Sequence, residues 1–115
     1  MTKKTLITEV QDVITDATSQ DLQLLPFSGQ PLVCYDRIVA ADLTSGVTLI
    51  TIGFLRGSNE VLLVSGTPAA VGGNIVMEGK VFAPAVWRPF ARFKGATLGD
   101  KVCLYVFGYL TDNPE

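Results

Sequence analysis

The chain has 115 residues, a net charge of −2, 48% apolar residues and only 17% charged ones. That length allows one domain, with a folded surface of about 6,100 Å², roughly a third of what the extended chain exposes. The apolar content excludes intrinsic disorder, and the acidic balance excludes a generally basic nucleic-acid binder. There is no histidine. The commonest general base, the commonest metal ligand and every Ser-His or Cys-His nucleophile are therefore missing, and the composition points to a non-enzymatic protein without metal or cofactor.

In chain order, Lys3 and Lys4 precede Glu9 and Asp12, so the apolar stretch of a secretion signal is not expected. Residues 5–17 read two ways. One is a strand from Leu6 to Ile14. The other is a helix capped by Thr8 with Val10, Val13, Ile14 and Ala17 on one face. Their β-branched content favours the strand, so residues 1–20 are an opening strand or short arm. Strands are then predicted over 21–26, 31–41, 47–56, 60–65, 73–82, 86–94 and 101–110, with turn signals between them. The last of these runs is apolar on both sides and reads as a central strand. Residues 111–115 read as a polar tail. The uncharged runs 43–55 and 61–77 have 13 and 17 residues, short of the roughly 20 apolar residues of a membrane helix. Short strands at near-regular spacing predict a single all-β domain over 1–115, an antiparallel two-sheet sandwich of about eight strands.

Charge is segregated. Thr5–Asp36 holds five acids and no base, whereas Lys80–Lys101 holds five bases and one acid. The two segments pair either inside one fold or between molecules through complementary patches. Within 86–94, Arg88, Phe90, Arg92 and Lys94 fall on one side of the strand, and Trp87, Ala91 and Phe93 on the other. Arginines beside an exposed aromatic suit a protein interface better than a nucleic-acid platform in a chain of this net charge. Pro89 lacks an amide hydrogen and places this strand at an edge or a bulge. The stretch SGTPAAVGG, with Gly72 and Gly73, reads as a flexible contact arm, since no Lys-Ser/Thr follows to make a phosphate cradle. Trp87 reads as a core anchor opposite Phe93. The Tyr105, Phe107, Tyr109 ladder, which shares its face with Cys103, reads as packing between sheets. Cys34 and Cys103 read as buried thiols, which pair only if their strands bring them face to face. Glu60 and Glu78 stand alone, and no carboxylate pair suits hydrolysis.

The closing segment follows Arg-Phe-x-Gly-Ala-x-x-Gly-Asp-x-x-x-Leu-x-Val-x-Gly-Tyr, carried by Arg92, Phe93, Gly95, Ala96, Gly99, Asp100, Leu104, Val106, Gly108 and Tyr109. With the strand order before it, this ending is similar to small jelly-roll-like β-sandwich structural proteins of bacteriophage virions. The resemblance implies a coat, cement or cap protein of the virion, assembled in the host cytoplasm. Its partners would be other capsid subunits and itself, with no nucleic acid or membrane. Arg88, Phe90, Arg92 and Lys94, with Gly72 and Gly73 in the arm, are the expected contact residues. The alternative is a small carbohydrate- or ligand-binding sandwich that uses Tyr35, Trp87 or Tyr109 as a platform.

Overall fold

Alternation of β-branched and polar residues produces strands throughout. The computed structural model describes residues 3–46, 48–68 and 70–112. Its elements are β1 (Lys3–Val13), β2 (Gln20–Gln23), β3 (Leu32–Asp42), β4 (Leu49–Arg56), β5 (Asn59–Gly66), β6 (Asn74–Pro84), β7 (Arg88–Lys94) and β8 (Lys101–Thr111). The helical option for residues 5–17 is not taken. Their β-branched residues lie in β1, which pairs with β8 without interruption from Lys3↔Thr111 to Val13↔Lys101. Val47, expected to open the fourth strand, and residues 113–115 of the expected tail lie outside the described residues.

The strands form two antiparallel four-stranded sheets, β1-β8-β3-β6 (sheet A) and β2-β7-β4-β5 (sheet B), packed as a sandwich. The pairing is nested. β4 pairs with β5 across the Gly57–Ser58 turn, β3 with β6, β2 with β7 and β1 with β8, like one long hairpin folded across itself. The β3–β8 and β4–β7 ladders join the halves within each sheet. Central position explains why 101–110 is apolar on both faces. Val102, Leu104, Val106 and Leu110 point into the core and meet Ile50, Ile52, Phe54, Ala91 and Phe93 of sheet B. The accessible surface, 5940 Å², matches the size scaling.

β7 lies inside sheet B, not at an edge, and Pro89 is tolerated there for a local reason. Its carbonyl accepts from the Leu24 N–H at 3.0 Å. In an extended residue the nitrogen points the same way as the carbonyl, toward the side where β2 has already ended. The absent amide hydrogen therefore costs no bond to β4.

One end of the sandwich is tied by two buried acids. Asp42 Oδ1 accepts from the N–H groups of Thr44 and Ser45, both at 3.0 Å, and its Oδ2 accepts from the Thr48 hydroxyl at 2.8 Å. Asp100 accepts from the Ser45 hydroxyl at 2.9 Å and from the Thr97 N–H at 3.1 Å. The turn after β3 is thus tied to the turn before β8. Burial alone would raise the Asp42 pKa, but side-chain hydrogen bonding with Asp100, with the two amides and with Thr48 holds it below the usual carboxylate value.

Tyr35 is fully buried among Phe27 and Phe54, and its hydroxyl has no hydrogen-bond partner among the described residues. Burial pushes its pKa well above the ordinary tyrosine value. Tyr35→Phe removes an unsatisfied polar atom and keeps the ring. It is expected to raise stability by about 1 kcal/mol, read as a shift of the urea midpoint at unchanged slope.

Candidate interaction surface

Of the residues expected to make contacts, Arg92 is already engaged. Asp21 on β2 takes its guanidinium in a bidentate pair, at 2.7 Å from Nε and 3.0 Å from Nη2. Glu60 on β5 takes Nη1 at 3.0 Å and pairs with Nη2 as well. The hydrogen bonds to Glu60 and Asp21 raise the Arg92 pKa further above its ordinary value, and that from Arg92 lowers that of Glu60. One cation thus fastens the two edge strands of sheet B across its middle. The acidic and basic halves of the sequence meet inside one molecule at this point.

Phe90 shares its face with Arg92, as the alternation predicts, but it is not an exposed aromatic. Its exposure is 0%. The ring lies against Gly53, where an added Cβ would stand 3.0 Å from it, and the Arg92 guanidinium covers it 5.1 Å from its centroid. A glycine opposite an aromatic lets the ring lie flat on the neighbouring backbone. Reversing the charge of Arg92 would therefore gather three carboxylates and uncover Phe90, and so would weaken sheet B. Arg88 is half-buried and Lys94 exposed, and neither makes an ion pair among the described residues. Lys94 lines, with Arg92, Asp21, Thr18 and Ser19, an open depression of about 540 Å³.

The segment expected as an arm has residue 69 outside the described residues. Ser65 and Gly66 close β5, and the segment ends in a turn closed by Gly73 N–H to Ala70 O at 3.0 Å and packed beside Gly46. Gly72 has φ +75°, a conformation that favours glycine. At Gly73 an added Cβ would stand 2.7 Å from the Pro68 side chain.

The aromatic ladder of β8 is not between the sheets. Val102, Leu104 and Val106 take the inward positions, so Cys103, Tyr105, Phe107 and Tyr109 stand on the outer face of sheet A. Four cross-strand rows define this face: Thr5–Tyr109–Cys34–Phe82, Ile7–Phe107–Arg37–Glu78, Glu9–Tyr105–Val39–Val76 and Gln11–Cys103–Ala41–Asn74. Tyr105 and Phe107 stack with centroids 6.4 Å apart. Ile7 is 68% exposed, Phe82 36%, and the aromatics are half-buried by each other. A hydrogen bond with Glu9 raises the Tyr105 pKa, and one with Cys34 raises that of Tyr109. The result is an apolar, aromatic centre with a rim of Thr5, Glu9, Gln11, Asn74 and the Arg37–Glu78 pair (3.6 Å). That is the make-up of a protein contact surface. The expectation that the ladder packs between the sheets fails because both sides of β8 are apolar, so alternation identifies the shared face but not which side looks inward.

Cys34 and Cys103 are both buried free thiols. They sit on adjacent strands but oppose Tyr109 and Ala41 respectively. Along β8 those register positions are six residues apart, about 20 Å, against the roughly 7 Å limit for a disulfide. They do not pair. Burial, then the Glu9 charge, pushes the Cys103 thiol up.

Of the three aromatics expected for a ligand platform, Tyr35 and Trp87 are occupied, whereas Tyr109 is half-buried on the outer face of sheet A. Tyr35 is in the core. Trp87 packs on Phe54 at 6.2 Å, not opposite Phe93, and carries Arg56 over its ring at 5.2 Å. No family model matches the sequence, and no curated protein matches it.

Proposed function

We propose that the chain is a non-enzymatic structural protein that works by protein–protein contact, as a coat, cement or cap subunit of a bacteriophage particle. The observation that carries the contact role is the aromatic stripe Tyr105–Phe107–Tyr109 standing on the outside of sheet A, flanked by Ile7, Val39 and Phe82. A face of this composition is costly to leave in water and is the kind of patch that partners cover. The particle role is supported by the resemblance of residues 92–109. It is supported too by the nested strand order, β1-β8-β3-β6 over β2-β7-β4-β5, which is how a jelly roll is arranged, an architecture used by capsid and lectin domains. Partners are other shell subunits and further copies of the chain.

The test is light scattering on a sizing column over a concentration series, at low and raised salt. The expected result is a discrete assembly that survives raised salt, because the contact is mainly apolar. Phe107→Ser is expected to weaken that assembly by thirtyfold or so, a typical central-residue effect, with the melting curve little changed. A chain that stays at 12.3 kDa at every concentration, alone and with shell proteins, overturns the reading. An assembly indifferent to Phe107→Ser moves the contact off the outer face of sheet A.

A further inference from the structure

Four strands lie at sheet edges, and three of them are protected against further pairing. β2 is four residues long. β5 bulges where Leu63 is left between the Ile52↔Val64 and Gly53↔Leu62 pairs. β6 breaks register opposite Tyr35/Arg37, with Gly79 at φ +99°. Bulges and shortness are the usual means of keeping an edge from recruiting a strand. β1 has neither. It runs eleven residues in unbroken register.

The direction of its free groups follows from its end. The Ile14 N–H donates to Asp100 O at 2.8 Å, and Ile14 O accepts from Gly99 N–H at 2.9 Å, both toward β8. Alternation then turns the odd-numbered residues outward. Val13 agrees: its N–H is taken by its own neighbour Asp12 Oδ1 at 2.8 Å, and its carbonyl by Gln20 Nε2 at 3.0 Å. Thr5, Ile7, Glu9 and Gln11 are left with N–H and C=O groups on the open edge. Beside them a groove lined by Thr8, Val10 and residues 23–27 exposes Leu25, 79% in solvent.

We propose that this edge pairs with the same edge of a second copy, antiparallel about a two-fold axis at Thr8. Two-fold pairing that keeps each face continuous requires partners of the same parity. Centring on Glu9 sets two Glu9 carboxylates against each other, and centring on Ile7 leaves Lys4 opposite Val10. Centring on Thr8 places Lys4 opposite Asp12 twice and Leu6 opposite Val10 twice. It also satisfies Thr5 against Gln11 and Ile7 against Glu9, about eight backbone hydrogen bonds in all. Leu6 and Val10 are already half-buried against the core, so pairing joins the two cores along the seam and merges the outer faces into one eight-stranded sheet. Such a dimer stands whether or not the chain belongs to a particle.

Within one chain Lys4 and Asp12 are eight positions apart on the same strand, about 26 Å, and cannot meet. Their ion pair can therefore form only across the seam; Asp12→Lys also frees the Val13 N–H, a local change that mixing with the Lys4→Glu variant does not repair. Each alone is expected to raise the dimer dissociation constant tenfold or more, because both symmetric pairs become like-charged. An equimolar mixture of the two variants is expected to recover the dimer, since position 4 of each chain then faces an opposite charge at position 12 of the other. Ile7→Pro, which removes an edge-facing N–H and an exposed side chain but no bond to β8, is expected to leave a folded monomer. Sedimentation equilibrium reads the constants, with circular dichroism to confirm the fold of each variant. Phe107→Ser is expected to leave this dimer intact, which separates the edge from the aromatic face. A wild-type monomer at about 1 mM overturns the proposal. So does a dimer whose constant ignores both charge variants, or one that the mixture fails to restore.

Discussion

Gly108→Ala is expected to destabilise the protein by more than about 4 kcal/mol, or to leave it unfolded. Where β3 bulges at Asp36, its carbonyl of Cys34 is driven against Gly108, and an added Cβ there would stand 2.0 Å from that oxygen and 3.2 Å from the Tyr35 Cα. Both obstacles are backbone, so no rotamer change relieves them. β8 would have to leave its register with β3, and with it the inward row Leu104, Val106 and Leu110. The same change at Gly66 supplies the control. Its added Cβ meets only the end of the Ile75 side chain at 2.8 Å, which rotates away, so a loss below about 1 kcal/mol is expected. Urea denaturation of both variants checks the difference.

Asp42→Ala is expected to cost about 3 kcal/mol at neutral pH. It leaves the Thr48 hydroxyl, itself buried, and the Thr44 and Ser45 amides without their acceptor at the corner that joins the two turns. Its effect depends on pH with a definite sign. The Asp42 pKa is lower folded than unfolded. Its contribution is therefore fully present above the ordinary carboxylate pKa of about 4 and is lost as pH falls through the folded value. Wild type and variant should differ most at pH 7 and draw together as pH falls below the ordinary carboxylate range, measured as urea midpoints across that titration.

Much of the sandwich was legible because its strands alternate. Seven of the eight runs read from sequence fall on strands that the structure places within a few residues, and the opening segment takes the β-branched option. The contact residues were less legible, for one physical reason: alternation shows which residues share a face but not what lies over that face. Phe90 and Arg92 do share one, yet Arg92 is folded down on Phe90 by two acids from distant strands, Asp21 and Glu60. β8 posed the same difficulty with opposite outcome, since its aromatic row faces out and its aliphatic row in. The pattern that carried the resemblance is itself explained by the fold. Gly95 and Gly99 have φ +74° and +89°, Asp100 ties the corner, Phe93, Leu104 and Val106 fill the core, and Gly108 admits the Cys34 carbonyl. Those residues report how this sandwich is built, and of them only Tyr109 stands on the aromatic face.

The nested pairing sets an order of assembly in time. Only β4 and β5 are neighbours along the chain. Every other ladder closes a longer loop, up to Lys3 with Thr111, and long loops close late. β1, whose ladder with β8 closes the longest loop, is therefore expected to join last, and as an edge strand with a single ladder it can leave without breaking any other pairing. A departed β1 bares the β8 backbone along the seam it occupied, and the β1 of another molecule fits that vacancy with every native contact. Concentrated protein held in mild denaturant should thus yield strand-exchanged dimers that persist on dilution long after an edge-paired dimer has come apart.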